Sequence, residues 1–151
     1  MTASGTRLHS SGRLIPEGLD EAMIAAVVDD FYAKARIDPL LGPIFTRVIP
    51  DEAWRAHLDV IAEFWSSMLL GTRRYNGRPM PKHLAIGDLE DRHFARWLML
   101  FRETTETLCP PQIAALFVDR AERIAHSFRL GLAFHRGEDT TSLEQMRAEA
   151  P

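Results

Sequence analysis

Apolar side chains recur along most of this chain at the spacing of helices packed on one face. From Asp20 to about Arg36, Met23, Ile24, Val27, Val28, Phe31 and Ala35 follow the i, i+3, i+4, i+7 rule of a single buried stripe, and Asp20 is a good N-cap. Asp38-Pro39 and Gly42-Pro43 then break the pattern. Ile44 and Phe45 lie in the short connection that follows, two apolar residues where a surface loop would be polar, so that corner is expected to face inward. A second helix is predicted from Pro50-Asp51, with Asp51 as its N-cap, carrying Trp54, His57, Leu58, Ile61, Phe64, Trp65, Met68 and Leu69 inward and ending at Gly71. Residues 71–87 are punctuated by three glycines and two prolines, with room for a short helix opening at Pro81 and holding Lys82, His83 and Leu84. A third helix runs from Asp88 or Asp91 to Leu108, with Phe94, Trp97, Leu98, Phe101 and Leu108 inward. Cys109-Pro110-Pro111 stops it, and a fourth carries Ile113, Leu116, Phe117, Ile124, Phe128 and Leu132 to about Gly137.

No alternating strand pattern interrupts these stripes, so the fold class is all-α, a helical sandwich or bundle. Residues 1–15, rich in Ser, Gly, Thr and Arg, read as a flexible N-terminal arm. Residues 16–136 form a single domain, and 137–151 a polar C-terminal tail.

Composition removes several function classes. The 151 residues carry 18 Lys+Arg against 21 Asp+Glu, a net charge of −3, which disfavours nucleic acid and anionic membrane surfaces as partners. The longest apolar stretch, Ile61–Leu70, is interrupted by Glu63, Ser66 and Ser67 and falls short of the ~20 residues a membrane span needs. The N-terminus has no apolar run like that of a signal peptide, and Cys109 is the single cysteine. A reducing cytoplasm is therefore the expected compartment. Beside two prolines and without an activating neighbour, Cys109 reads as inert.

Two histidines stand out. His57 lies in the apolar stripe of the second helix, three residues after Trp54 and four before Ile61, and His83 sits in the Pro- and Gly-punctuated segment. No two of the six histidines stand three or four apart on a predicted helix, and HExxH, paired-Cys, GxSxG, P-loop and GxGxxG patterns are absent. Side chains alone therefore do not build a metal site. A planar cofactor that brings its own metal needs only one strong protein ligand and an apolar slot. Phe31, Phe45, Trp54, Ile61, Phe64, Phe94 and Trp97 supply such a slot, or else an ordinary core. The alternative reading is a cofactor-free helical interaction module.

The chain resembles a known family, the truncated (2-on-2) haemoglobins, most closely group III. The resemblance rests on an ordered set over about three quarters of the chain. It begins with Phe31-Tyr32, Asp38 to Phe45, Trp54 with His57, Phe64-Trp65, and Met68 to Gly71. It continues through Tyr75 to Gly77, Lys82-His83-Leu84, Trp97 to Phe101, and Ala125 to Phe128. The paired glycines of groups I and II are missing, in keeping with group III.

The resemblance implies a globin-like 2-on-2 sandwich around haem b (iron protoporphyrin IX), with His83 as the proximal metal ligand. It makes Tyr32, His57 and Trp97 the distal ligand-binding residues. Phe31, Phe45, Trp54, His57, Ile61, Tyr75, Met80, His83, Phe94 and Trp97 form the cofactor-binding set. Arg73, Arg74, Lys82, Arg55 and above all Tyr75 are candidates for the haem carboxylates. Trp65, Phe101, His126 and Phe128 read as core, and His93 as a surface residue. The implied function is binding or transport of dioxygen and other diatomic ligands (NO, CO), with high oxygen affinity from the Tyr32 and Trp97 donors. Peroxidase-like or nitric-oxide dioxygenase activity is also implied, leaving carrier and enzyme both open. An unidentified reductase is the implied partner, and the protein a monomer or weak oligomer.

Overall fold

The Asp20 carboxylate accepts the backbone N–H of Met23 at 2.8 Å and opens α1, Glu21–Ile37. This comes from a computed structural model that describes residues 5–150, apart from the side chains of Met80, Pro81 and Leu84. Helix α1 ends against a tight corner: a Cβ on Gly42 would stand 2.5 Å from the Arg36 carbonyl oxygen, so only glycine lets the chain turn back this closely. The corner is itself helical. Where a connection was expected, α2 spans Gly42–Val48 with a proline in its first turn, and Ile44 is buried.

Asp51 does not cap the next helix. It lies in a 3₁₀ turn, Asp51–Ala53, and its carboxylate pairs with Arg36, while α3 begins one step later and runs Trp54–Leu70. Gly71 ends α3 in the left-handed conformation, φ 74°. Pro79, two residues before the expected Pro81, opens the six-residue α4, Pro79–Leu84. Helix α5, Asp91–Leu108, and helix α6, Pro111–His135, complete the set.

Packing is pairwise. Helix α1 lies on α3 and α5, α5 on α6, and the short α4 on α6, a 2-on-2 arrangement of α1 and α3 with α5 and α6. An aromatic stack joins the layers. Phe101 lies nearly parallel to Trp65 (5.2 Å between centroids) and to Trp97 (5.6 Å), and Phe31 meets Phe101 edge-on at 5.3 Å. Phe31, Phe101, Phe117, Ile24, Val27 and Leu98 are among the fully buried side chains.

The described segments before α1 and after α6 both pack on the helices. Residues 6–16 are no plain arm but a hairpin, β1 (Thr6–Leu8) antiparallel to β2 (Leu14–Pro16), with Leu8 opposite Leu14. Its tip closes the end of α3: Ser11 Oγ donates to the Leu70 carbonyl and Arg13 Nη1 to that of Met68, both at 2.5 Å. These are carbonyls that a helix end leaves without an intrahelical partner. The C-terminal tail lies along α5 and α6. The Ala148 N–H donates to the buried Glu122 carboxylate at 2.6 Å, and the Ala148 carbonyl accepts from Arg102 at 3.0 Å. Among the described residues no helix is long and apolar enough to cross a membrane.

Candidate functional site

Between these helices lies a cavity of about 240 Å³. Helix α3 contributes His57, Ile61 and Phe64 to its wall, and α1 contributes Tyr32. Helix α4 presents Lys82 and His83, α5 presents His93, Phe94 and Trp97, and α6 presents Ile124 and Phe128. The lining is mostly apolar, with a few polar groups converging on it, the usual character of a cofactor site.

His83 is held in two directions. Its Nδ1 lies 2.7 Å from the carbonyl oxygen of Pro79, one helical turn earlier, and its ring stacks on Phe128 with centroids 4.1 Å apart and planes 18° from parallel. A carbonyl only accepts, so Nδ1 carries the proton and Nε2 keeps its lone pair. Burial depresses the pKa of His83; the Pro79 hydrogen bond opposes that shift, and the Lys82 charge adds to it. The imidazole is thus neutral near pH 7 and has a free nitrogen donor.

His57 is likewise kept neutral, first by burial and then by the charge of Lys82. Burial pushes the Tyr32 phenol up to about 12, although the Trp97 indole N–H beside it favours the phenolate. Tyr32 therefore keeps its O–H at any physiological pH. Its ring is wedged edge-on against Phe31 (4.8 Å), Phe45 (5.6 Å) and Trp54 (6.4 Å).

Tyr32, Phe45, His57, Ile61, Tyr75, His83, Phe94 and Trp97, all singled out in the sequence, line this one cavity. Two others do not. Phe31 is fully buried behind Tyr32, and Trp54 packs outside the lining against Phe45 and His57, with the Arg36 guanidinium 4.4 Å above its ring. Periodicity points both inward but does not separate a cavity wall from the layer supporting it. The Met80 side chain lies outside the described residues.

Of the candidate cations, Arg55 is engaged with Asp29 and Asp59, and Arg74 with Glu63 and Glu21, so neither is a ready partner for a further carboxylate. Lys82 and Tyr75 remain at the cavity, and the Tyr75 ring sits edge-on to Phe64 at 5.3 Å.

Several lining residues escaped the sequence reading. His93, expected at the surface, is 6% exposed; its Nδ1 accepts the Glu90 N–H at 2.9 Å at the start of α5. The signal was a side-chain acceptor three residues into a helix, the position from which it can reach back to the cap. Trp65 and Phe128, read as core, both reach the cavity.

These residues suit a haem. One neutral imidazole has a free Nε2 and an anchored Nδ1, aromatic and branched side chains form the slot, and uncharged O–H and N–H donors stand at Tyr32 and Trp97. Among the described residues no three His, Cys, Asp or Glu side chains gather as a metal site. A metal here would have to arrive with most of its ligands, as porphyrin iron does.

Comparison with known proteins agrees with that chemistry. No protein-family model matches the chain. The group 3 truncated hemoglobin ctb of Campylobacter jejuni is 37% identical over 115 residues, covering 75% of this chain and 91% of that protein. The crystal structure of a group III truncated hemoglobin from Campylobacter jejuni superposes with a TM-score of 0.73 at 37% identity, over 78% of this chain and 94% of that one.

Proposed function

The chain belongs to the group III truncated haemoglobins, a haem b family of 2-on-2 helical globins, and from that premise we propose that it holds haem through His83 and binds dioxygen, nitric oxide or carbon monoxide beside Tyr32, His57 and Trp97. Haem-based binding of diatomic ligands follows from the family; the residue roles and the affinity are our reading. Membership also displaces the cofactor-free helical module. The observation that carries the assignment is the state of His83: neutral, Nδ1 committed to the Pro79 carbonyl, and lining an apolar cavity.

When bound, haem supplies the iron that takes up a diatomic ligand and exchanges electrons. The chain supplies the surroundings. Phe45, Ile61, Phe64 and Phe94 would exclude water from the slot, and Lys82 and Tyr75, which line the same cavity, would meet the haem carboxylates. Tyr32, whose O–H persists to about pH 12, and Trp97, whose indole N–H does not ionise, donate hydrogen bonds. Each such bond to a group with negative charge contributes ~1.5–3 kcal/mol, so two of them slow ligand escape and favour high oxygen affinity. His57, kept uncharged, adds a polar group without repelling cationic or attracting anionic species.

The same donors suit a peroxidase-like or nitric-oxide dioxygenase role, in which an unidentified reductase restores the reduced state. A neutral histidine ligand gives less electron push than a thiolate, which weighs toward ligand capture. The test is the absorption spectrum of the reduced protein with and without carbon monoxide. A strong Soret band that shifts on adding carbon monoxide supports the assignment, and protein that is colourless after incubation with haem and removal of the unbound excess overturns it.

A further inference from the structure

We propose that Phe128 is a positioning residue for His83: the plane of the imidazole is set from α6 and not from the helix that carries it. This inference rests on the assignment of His83 as the haem ligand. Helix α4 is six residues long and follows residues 71–78, which have no regular structure. So short a helix is not self-supporting, because nucleation costs more than one and a half turns return. The contact between Nδ1 and the Pro79 carbonyl is internal to α4, so it cannot orient the ring relative to the rest of the molecule. It also leaves the ring free to swing about the Nδ1···O line.

The Phe128 face removes that freedom. At 4.1 Å between centroids and 18° between planes, it fixes the plane in which the ring lies. Phe128 is itself buried and stands on the 25-residue α6. The residue after it, Arg129, holds Asp91 of α5 through two bonds (2.9 and 3.1 Å) and the Glu144 carbonyl of the tail at 2.9 Å. The stacking surface is therefore tied to the main helical layers. One turn earlier on α6, Ile124 lines the same cavity. A phenylalanine that merely fills core would fix no property of His83.

The experiment compares wild type with Phe128→Met, which removes the ring at similar volume, Phe128→Tyr, which keeps it, and Phe117→Leu, a fully buried change on α6 that packs on Trp65 and Phe101 instead. In haem-free wild-type protein the His83 ring protons should resonate upfield under the Phe128 ring current. In Phe128→Met they should move downfield, and in Phe128→Tyr they should stay. After loading with haem, the iron–histidine stretching band of reduced Phe128→Met should shift and broaden, and haem loss should accelerate on the order of ten-fold. Phe128→Tyr should restore both, and Phe117→Leu should lower thermal stability alone.

Unmoved His83 resonances and an unmoved band in Phe128→Met would overturn the inference. So would the absence of the upfield shift in wild type, which needs no variant to fold. Wild-type protein that takes up no haem would instead refute the assignment of His83, while the haem-free spectra still decide the stacking.

Discussion

Asp38 and Arg96, 58 residues apart in the chain, meet at 2.7 Å with the carboxylate buried and the guanidinium at the surface. The same carboxylate accepts the N–H groups of Leu40 and Leu41, each at 3.0 Å. The turn between α1 and α2, which leads to Ile44 and Phe45, is thereby fastened to α5 one residue before Trp97. Burial raises the Asp38 pKa, but the Arg96 hydrogen bond and the Leu41 and Leu40 N–H groups outweigh it and hold the group below the usual carboxylate value.

A carboxylate with a depressed folded pKa adds stability that is complete above its unfolded pKa and disappears as pH falls through the folded one. Asp38→Asn should therefore cost about 1–3 kcal/mol at pH 7, with the partly exposed Arg96 keeping it toward the lower end. The difference from wild type should shrink as pH falls below about 4. Urea denaturation across a pH series checks this, and a gap that stays constant into acid would contradict it.

Tyr32→Phe removes one O–H and leaves the edge-on packing against Phe31 and Phe45 in place. Haem uptake should be unchanged and dioxygen dissociation at least several-fold faster by stopped flow. Identical dissociation rates would take Tyr32 out of the ligand-stabilising role.

The hairpin offers a test remote from the cavity. Arg13→Ala withdraws the donor from the Met68 carbonyl at the end of α3, and should destabilise the protein by about 1 kcal/mol. Hydrogen exchange should quicken in the last turn of α3 and spread toward Ser67, whose Oγ accepts the Tyr75 N–H at 2.9 Å. Exchange that speeds up only within the hairpin would mean that the clamp supports nothing beyond itself.

Cys109 is buried, and its thiol is pushed up to about 11 by that burial. A disulfide reagent at pH 8 should label the folded protein far more slowly than the protein in urea. Equal rates in both would show the α5–α6 corner to be open.

The long helices were legible because each carries a full apolar stripe, and Asp20 and Gly71 mark two of their ends with side-chain and backbone chemistry. Helix α2 was not, since seven residues beginning with Gly-Pro are too few to show a period. The hairpin was hidden for a related reason: its strands have three residues each, and apolar Leu8 and Leu14 are about 70% exposed while Ile15 beside them is buried, so residue type does not follow the inward-outward alternation.

At the site, His57 and His83 were visible as polar residues in apolar or punctuated settings, and the family likeness gave them roles. Phe31, Trp54 and Phe128 show where spacing stops. All three point inward by period, yet only Phe128 reaches the cavity, because that depends on how neighbouring helices cross. His93 was misplaced because the first turn of a helix is most often solvated; here Asp91 and Arg92 are indeed exposed, but His93 falls on the face that turns inward.

The central claim is that the Nε2 of His83 binds haem iron. Titrating haem into wild type and His83→Ala, and recording the ferrous and carbon monoxide spectra of each, tests it most directly. Wild type should take up one haem and give a histidine-ligated spectrum that responds to carbon monoxide, whereas His83→Ala should lose that signature and regain it with added imidazole. If His83→Ala held haem with a spectrum indistinguishable from wild type, the iron would have another ligand and the account would be wrong.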